Sequence, residues 1–509
     1  MDENFLTYSA LDAACTLEIW RAIQPDLVED GFLPAYNLTL DLFPVLMFMQ
    51  TRGIRVNQAA LEETKVEVQA KANEKQVELD ELCGYPLNIN SPKACKEYFY
   101  GTLGYNPYRN KEGKETVDDR ALQRLARGSA KKPGLRQARL VQEIRGLQKL
   151  YSTYLNIEFD EDARLRCSFN PRGTVFGRLS SSKTIHGTGT NFQNLPQAFK
   201  KFLVADPGFV MLEVDKRQAE WVVVAYASGD ANMLAAIDRG VDVHSHTASL
   251  MFNVSADLVK YENKLLGHTT DPEQIKELRK NDSTLNSLDV AWPRTMSLRQ
   301  AGKKSNHGLN YAEGYRNFAL INEIEEGEAK RIVELYHKIY PGIRLWYEHI
   351  QKLLRDNRTL TNCFGRKVRF MEEWGESLFK SAYSMIPQST VVDSLNLGMV
   401  KIYNDSELTE VLNLDILAQV HDSILMQLPI EVVKNESAFL RIMEKLNTYT
   451  SPSMTYNGRT FTIATDAKVG FNWGEFNAET NPLGMADLHT HKDILNLLNA
   501  SVGNGTRTQ

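Results

Sequence analysis

The strongest hydrophobic pattern in the chain is an almost unbroken apolar run over residues 209–214. The run is partly β-branched, a composition typical of a strand that is covered on both faces of a sheet. It ends at Asp215, and the apolar residues 219–227 can continue as an amphipathic or buried helix. The pattern therefore predicts a buried strand that delivers the Asp215 carboxylate to a site.

A second apolar pattern covers residues 416–428 and is broken by a polar pair, His421 and Asp422. Two short apolar strands that meet at such a pair predict a β-hairpin with a carboxylate at its tip. A charge at the end of a buried strand is costly unless it is paired. Because Asp215 and Asp422 arrive from distant segments, they suggest a site that holds a pair of metal ions.

Between these patterns, Arg299, Lys303, His307 and Tyr311 recur at every fourth residue. On a helix this spacing predicts one slowly drifting stripe of side chains, roughly 18 Å long. The stripe is cationic at its start and aromatic at its end, which suits a polyphosphate followed by a base. Together with two Mg²⁺-binding carboxylates, such a helix is suited to in-line phosphoryl transfer. We therefore predict a nucleotidyl transferase.

The same three segments resemble motifs A, B and C of the family A DNA polymerases, the DNA polymerase I family. They are, in the family's order, Asp-x-x-Gln-x-Glu at 215–220, Arg-x-x-x-Lys-x-x-x-His-Gly-x-x-Tyr at 299–311 and Gln-Val-His-Asp-Ser at 419–423. Other segments that resemble the family lie at 174–182, 191–196, 242–248, 340–343 and 469–473. The resemblance covers roughly residues 40–476, and we expect a phage-like member.

The resemblance implies a mixed α+β, right-hand polymerase fold, with an antiparallel palm sheet, helical fingers and a helical thumb. The implied regions are a remnant of a 3′–5′ exonuclease domain at 1–30, a helical connection at 31–85, the thumb at 86–160, the first part of the palm at 161–235, the fingers at 236–390 with an insertion at about 253–298, the second part of the palm at 391–480 and a C-terminal tail at 481–509. We expect the tail to be solvated. The insertion is polar and charged, so we expect a solvated helical hairpin, with a partner-docking site as the alternative.

Residue roles follow from the same resemblance. Asp215 and Asp422 are implied as metal ligands and, with Lys303, as catalytic residues. The implied nucleotide-binding residues are Arg299, Lys303, His307, Tyr311, Glu220 and Gln218. The implied DNA-binding residues are Arg178, Gln388, His421, Lys380, Arg145 and Lys149. The implied cofactor is Mg²⁺, as two ions with Mn²⁺ as a substitute, and the implied partners are primer–template DNA and dNTPs.

Four positions depart from the family pattern. Lys216 and Arg217 stand where Tyr-Ser is common, and Ser423 stands where Glu is frequent, so a third carboxylate at 423 is not expected. His307 occupies a position at which the family has Phe or Tyr against the incoming sugar. We expect its flat imidazole ring to disfavour dideoxynucleotides as Phe does.

The predicted function is template-directed DNA synthesis from a primer 3′ end, as the replicative enzyme of a phage. One alternative is a single-subunit RNA polymerase, which Glu220 disfavours because a carboxylate beside the sugar 2′ position excludes a hydroxyl. A second alternative is a catalytically inactive DNA-binding protein of the same fold. The presence of Asp215, Asp422, Arg299 and Lys303 together argues against it.

Composition adds limits to this prediction. The 509 residues are 42% hydrophobic, sufficient for packed cores. Five cysteines without a Cys-x-x-Cys pair argue against a disulfide framework and a zinc ribbon.

The net charge is −5, yet residues 91–150 contain 14 Lys or Arg against 6 Asp or Glu. This local excess favours a phosphate-binding surface or, as the plainer alternative, a solvated basic face. No membrane span or signal peptide is recognisable, so we expect no membrane partner and a cytoplasmic location, the host cytoplasm for a phage protein.

The segment from Tyr8 to Asp12 resembles the Tyr-x-x-x-Asp third motif of the 3′–5′ exonuclease domain that precedes family A polymerases. Exonucleolysis by two metals also needs the acids of earlier motifs, and one carboxylate cannot hold a metal pair. We therefore expect this chain to polymerise without degrading a 3′ end, and a separate exonuclease polypeptide to dock on residues 1–30. The alternative is an ordinary helix with a capped acid.

Overall fold

A computed structural model describes residues 3–110, 112–128, 132–267, 269, 271–290, 292–293, 296–322 and 324–503. The first two residues of the predicted exonuclease remnant, residues 268, 270, 291, 294 and 295 of the predicted insertion and residues 504–509 of the predicted tail lie outside these described ranges. Within them, no helix is both long and apolar enough to cross a membrane.

The chain begins with two helices and a short strand: α1 (Glu3–Glu29), α2 (Leu33–Arg52) and β1 (Ile54–Val56). Helix α1 continues without a break through Pro25 to Glu29. A proline removes only one backbone donor, and α1 is fixed on α2 by stacking of Trp20 on Tyr36, with ring centroids 4.8 Å apart. The described side chains of α1 are nevertheless almost all exposed.

The predicted thumb has a small core of its own, built around the contact of two long helices. Its elements are α3 (Gln58–Cys83), α4 (Pro92–Lys96), β2 (Tyr108–Arg109), β3 (Glu115–Thr116), α5 (Asp119–Arg127) and α6 (Arg136–Lys149), with π-helical turns at Glu97–Thr102 and Leu150–Leu155. Asn57 caps α3 by accepting a hydrogen bond from the Ala60 amide, as its sequence predicts. Because α3 packs on α6, the thumb begins within the predicted connection rather than at residue 86.

The first palm segment leads to the strand predicted from the apolar run. Its elements are β4 (Arg164–Leu165), β5 (Ser168–Asn170), β6 (Ser180–Ser182), a 3₁₀ turn at Phe192–Asn194, α7 (Gln197–Lys200), β7 (Leu203–Val204), β8 (Phe209–Lys216) and α8 (Ala219–Ser228). Strand β8 is paired on both sides, which explains its nearly continuous apolar sequence.

The predicted fingers are helical and contain a second large core. Their elements are α9 (Ala231–Asp238), α10 (Val243–Phe252), α11 (Ala256–Leu266), α12 (Pro272–Asn281), α13 (Ser283–Asn286), α14 (Leu298–Leu309), α15 (Tyr315–Ile321), α16 (Glu326–Ile339), α17 (Gly342–Asn357), β9 (Thr359–Thr361), β10 (Lys367–Arg369) and α18 (Glu376–Asn404). The predicted boundary at residue 390 falls inside α18. This helix starts in the fingers core and ends in the palm core, so it joins the two.

The second palm segment completes a five-stranded sheet. Its elements are a π-helical turn at Glu407–Val411, β11 (Asp415–Val420), β12 (Ser423–Pro429), α19 (Ile430–Lys434), α20 (Glu436–Thr450), β13 (Met454–Tyr456), β14 (Arg459–Phe461), β15 (Thr465–Gly470), β16 (Ala486–Asp487) and α21 (His491–Gly503). The strand order is β11-β12-β8-β15-β16, with every pair antiparallel. We call it the palm sheet.

The C-terminal region is packed, which corrects the predicted solvated tail. Ile494, Leu497 and Leu498 of α21 enter the palm core. His491 Nε2 lies 2.8 Å from the carbonyl oxygen of Val433. The sequence signal was the apolar spacing of α21, which places these three residues on one face of a helix.

Asp206 joins three separate parts of the palm. Its carboxylate accepts hydrogen bonds from Arg52 of α2, from Arg164 Nη2 at 2.6 Å and from Gln427 Nε2 at 2.9 Å. Its side chain is only 9% exposed. Burial opposes ionisation of Asp206, but the hydrogen bond from Gln427 and the charges of the two arginines lower its pKa. The ionised carboxylate is therefore part of what holds α2 and β4 on the palm sheet.

Replacing Asp206 by Asn should lower the free energy of unfolding at neutral pH by about 2–3 kcal/mol, because Arg164 loses its closest counter-charge and Arg52 keeps only its pair with Asp415, at 3.0 Å. The folded-state pKa lies below that of an unfolded Asp. Wild type should therefore lose this contribution as the pH falls below about 4. The difference in free energy of unfolding between wild type and Asp206→Asn should then become smaller. Urea unfolding at several pH values measures both effects. Asp466→Asn, which removes an exposed pair with Arg217, is the matched control, and a gap that is unchanged at acid pH would contradict the assignment.

Candidate active site

The palm sheet brings Asp215 and Asp422 together at one end. Asp215 is directly opposite Ser423 in the antiparallel pairing of β8 and β12, and Asp422 precedes Ser423 in the turn between β11 and β12. The Lys216 amide donates a hydrogen bond to the Asp422 carbonyl oxygen at 3.1 Å. The predicted strand and hairpin are therefore both confirmed, and their carboxylates share one site.

The turn of the hairpin is held in an unusual conformation. His421 has a φ of +55°, a left-handed value that non-glycine residues seldom adopt. Its amide donates to Gln193 Oε1 at 3.1 Å, and its carbonyl oxygen accepts from Gln419 Nε2 at 2.7 Å. Gln193 Nε2 also donates to the Gln419 carbonyl oxygen at 2.8 Å. Sequence reasoning assigned no role to Gln193 or to Gln419, although both lie inside segments that resemble the family.

The two carboxylates repel each other in a poorly solvated place. Burial and the charges of Asp422 and Glu213 raise the pKa of Asp215. Burial and the charge of Glu220 raise the pKa of Asp422. In the part of the chain that the structure describes, neither carboxylate forms a salt bridge; Lys468 and Lys303 near Asp215, and His421 and Lys303 near Asp422, contribute more distant positive charges that do not overcome burial. The pair therefore lacks the counter-charge that buried acids need.

This donor set fits a divalent cation. Among the described residues, no group of three His, Cys, Asp or Glu side chains could hold a metal ion. Mg²⁺ is usually bound through one or two carboxylates together with water and substrate phosphates, not through a complete protein cage. Two buried, uncompensated carboxylates at the open end of a sheet match that pattern.

The predicted insertion forms helices whose charged residues are mostly exposed, but it also contains one buried ion pair that its polar sequence did not predict. Arg279 of α12 pairs with Glu262 of α11, and their side chains are 8% and 0% exposed. Arg279 also donates to the carbonyl oxygens of Pro293 and Met296, at 2.5 and 2.9 Å, and lies over the Trp292 ring. Glu262 and Arg279 are therefore buried against each other inside the insertion.

The same ion pair positions α14. The second oxygen of Glu262 accepts a hydrogen bond from the Leu298 amide at 2.9 Å, in the first turn of that helix. Ser297 caps the helix by accepting from the Gln300 amide, and its hydroxyl donates to Asn263 Oδ1 at 2.6 Å. Both contacts anchor the start of α14 on α11, so the insertion supports the helix that carries the cationic stripe.

Asp242 organises the cationic start of α14. It accepts from Arg299 Nε at 2.8 Å and from Gln218 Nε2 at 3.1 Å. Although burial opposes ionisation, hydrogen bonds from Arg299 and Ser245 lower the pKa of Asp242. Lys303, one turn further along, is exposed and forms no salt bridge with any described residue. Arg299 is thus held in place, whereas Lys303 is available to an anionic ligand.

Glu220 connects the far end of the stripe with the palm. It accepts a hydrogen bond from the Tyr311 hydroxyl at 2.5 Å and pairs with Arg178. His307 Nδ1 lies 3.6 Å from the same carboxylate. Burial and the charge of Glu220 raise the pKa of Tyr311, so its hydroxyl stays protonated. The helix ends at Leu309, so Tyr311 lies past its end and the predicted four-residue helical stripe is wrong at its last member.

The predicted DNA-binding residues fall in different places. Arg178 and His421 line one small cavity beside the hairpin. Lys149 lines a larger cleft between the thumb and the palm. Lys380 and Gln388 lie on α18, where Lys380 Nζ is 3.2 Å from Glu376 Oε2 and Gln388 is half-buried.

Arg145 does not lie on that surface, which corrects its assignment to DNA. Its guanidinium donates to the carbonyl oxygen of Ile89 at 2.6 Å and to that of Val117 at 2.9 Å. These bonds connect α6 to two loops of the thumb. Sequence alone cannot separate such an arginine from its neighbour Lys149, because both fit a basic helix.

Comparison with known proteins agrees with this arrangement. The family model described as DNA polymerase family A matches residues 58–266 and 289–475. A thermostable DNA polymerase I of Thermus filiformis is 28% identical over 466 residues, which covers 87% of this chain and 49% of that protein. DNA polymerase I of Rhizobium leguminosarum is 27% identical over 491 residues, 92% of this chain and 43% of that protein. The chain thus spans about half the length of these relatives.

A solved structure shows the same fold. It is the Pol domain of Pol1 from M. smegmatis, in complex with DNA primer–template and dNTP. Its similarity to this chain has a TM-score of 0.67 at 22% sequence identity, and it covers 86% of this chain and 70% of that one. The predicted right-hand arrangement of palm, fingers and thumb is therefore confirmed.

Proposed function

Because the chain belongs to DNA polymerase family A, we propose that it is a template-directed DNA polymerase that adds dNTPs to a primer 3′ end. The observation that carries the proposal is the pair of half-buried carboxylates, Asp215 and Asp422, which lie together at the end of the palm sheet without a salt-bridge partner among the described residues. A scaffold or DNA-binding protein has no use for such a costly pair.

Asp215 and Asp422 would hold the divalent ions, for which we propose two Mg²⁺ with Mn²⁺ as a substitute. These ions supply activation of the attacking oxygen and neutralisation of phosphate charge. Arg299 and Lys303 bind the triphosphate of the incoming nucleotide, and Lys303 is the candidate proton donor to the leaving pyrophosphate. A protonated amine there stabilises the charge that develops as the pyrophosphate departs.

The remaining residues orient the nucleotide and the DNA. Glu220, fixed by Tyr311 and Arg178, lies where it can limit the space at the sugar 2′ position, and His307 beside it contacts the sugar. Arg178 and His421 approach the primer end from their shared cavity. These contacts would select the sugar and align the primer end without reading the base sequence.

DNA affinity is assigned to the thumb cleft and α18. Lys149, Lys71 and Lys75 line the cleft, where they provide salt-dependent phosphate contacts that do not depend on sequence. Lys380 and Gln388 contact the primer–template from α18. A replicative role in a phage and a cytoplasmic location stay predictions.

Asp215→Asn and Asp422→Asn should each lower the rate of primer extension by about 10³-fold or more, because each removes a charge that holds the ions. Primer–template affinity should stay close to that of wild type, since phosphate contacts dominate it. Single-turnover extension and a DNA-binding titration measure the two quantities. Asp487→Asn, on the outer strand of the same sheet, is the control, and extension by either site variant at nearly the wild-type rate would refute the proposal.

Glu220→Ala should relax the exclusion of ribonucleotides, because it removes both the bulk and the charge next to the 2′ position. Glu220→Gln keeps the bulk and separates the two causes. Discrimination between each rNTP and its dNTP, measured as a ratio of kcat/KM, should fall by about 10-fold or more in the Ala variant. An active Ala variant with unchanged discrimination would refute this role, and equal use of rNTPs by wild type would favour the single-subunit RNA polymerase.

We also propose that a separate polypeptide that carries the acids of the earlier exonuclease motifs docks on α1. The support is the surface of this helix: Leu6, Tyr8, Leu11 and Ile19 are exposed although apolar. A helix with apolar residues on most of its sides is normally covered. Asp12 is exposed on the same helix, where an added domain could complete an acidic site.

The purified chain should therefore not remove a mismatched 3′ nucleotide in Mg²⁺. The measurement is release of a labelled terminal nucleotide by wild type and by Asp12→Ala, with Glu18→Ala on the same helix as control. Excision by wild type that Asp12→Ala abolishes would show that the chain itself holds a working exonuclease site and would contradict the proposal.

A further inference from the structure

Glu213 is a third acid beside the catalytic pair. It lies on β8 two residues before Asp215, and alternate residues of a strand point to the same face of the sheet. No family motif named above includes it. Its position places another carboxylate on the face that carries the active site.

Two donors fix this carboxylate in one orientation. Ser423 Oγ donates to Glu213 Oε1 at 3.0 Å, and Trp473 Nε1 donates to the same oxygen at 3.1 Å. Ser423 is the residue directly opposite Asp215 in the β8–β12 pairing. In the described part of the chain, the second oxygen of Glu213 accepts no hydrogen bond.

The charge of Glu213 is not neutralised by a lysine in contact with it. Lys468 faces Glu213 across the β8–β15 pairing, and Lys200 lies over the Trp473 ring with its Nζ 4.3 Å from the ring centroid. Neither forms a salt bridge with Glu213 within the described ranges. Glu213 therefore lies two residues from Asp215 on the same face of β8, with one carboxylate oxygen that accepts no hydrogen bond and with no salt-bridge partner among the described residues.

We propose that Glu213 is a positioning residue for the divalent ions held by Asp215 and Asp422. Its negative charge and its free oxygen raise the affinity of the site for the ion, and Ser423 and Trp473 keep that oxygen turned to the site. The inference rests on the proposed function, since it concerns the same ions. Ser423 of β12 thus orients the carboxylate of Glu213 on the neighbouring strand β8.

The test is direct binding of Mn²⁺ to the full chain with primer–template, measured by the EPR signal of free Mn²⁺. Glu213→Gln should weaken Mn²⁺ affinity about 10-fold or more, the usual effect of removing a residue that orients metal ligands. Asp215→Asn should weaken it further. Glu431→Gln, an exposed acid just beyond β12, should leave it unchanged.

Two variants that leave Glu213 in place keep the proposal testable if Glu213→Gln folds poorly. Ser423→Ala and Trp473→Phe each remove one donor and leave the charge in place. Each should weaken Mn²⁺ binding about 2- to 5-fold, and this effect should disappear in a Glu213→Gln background because contacting residues couple. Donor variants with wild-type Mn²⁺ affinity would overturn the orienting role.

The outcomes separate this proposal from the proposed function. If Glu213→Gln binds Mn²⁺ as wild type does while Asp215→Asn does not, Glu213 has no part in the site and the polymerase proposal stands. If Asp215→Asn and Asp422→Asn also bind as wild type does, the ions are held elsewhere and both proposals fail.

Discussion

The structure depends on the repulsion between two carboxylates that the palm sheet places side by side. Burial raises the pKa of both; the charges of Asp422 and Glu213 add to this effect at Asp215, and the charge of Glu220 adds to it at Asp422. The antiparallel register of β8 and β12 holds the two acids close together, because Ser423, the neighbour of Asp422, pairs with Asp215. The hairpin turn adds a left-handed residue, His421, that Gln193 and Gln419 hold by hydrogen bonds. Backbone strain of this kind is stored at functional sites when the surroundings determine it.

The cationic side chains that accompany these carboxylates, Arg299 and Lys303, come from helix α14 of the fingers. The position of this helix depends on ion pairs. Glu262 contacts both Arg279 and the first turn of α14. Asp242 then holds Arg299 and Gln218, which belong to different elements. The insertion, the palm junction and the cationic helix are therefore linked through two ion pairs, Glu262–Arg279 and Asp242–Arg299, and through the hydrogen bonds that the same two carboxylates accept from Leu298 and Gln218. Displacement of α11 would be transmitted to Lys303 through the start of α14.

Sequence patterns predicted the elements whose signal is local. Three signals of this kind are the apolar run before Asp215, the polar pair between two short strands, and the recurrence of residues at every fourth position on α14. Each depends only on residues that are close in sequence, and each predicted element is present. The family resemblance supplied the roles. Features that depend on distant partners were missed: the burial of Glu262 by a residue 17 positions away, the inward orientation of Arg145 and the packing of α21. The polar composition of residues 253–298 suggested that the segment is solvated, because the sequence does not show that Glu262 and Arg279 form a buried ion pair.

The central claim is that the site copies a template, and incorporation of single nucleotides by the purified wild-type chain tests it most directly. Four primed templates that differ only in the next template base would each be given one dNTP at a time, with Mg²⁺ and with EDTA. The account predicts addition of the complementary dNTP alone, in Mg²⁺ and not in EDTA. Addition that ignores the template base, or no addition in Mg²⁺ or Mn²⁺ by a folded chain that binds the DNA, would contradict it.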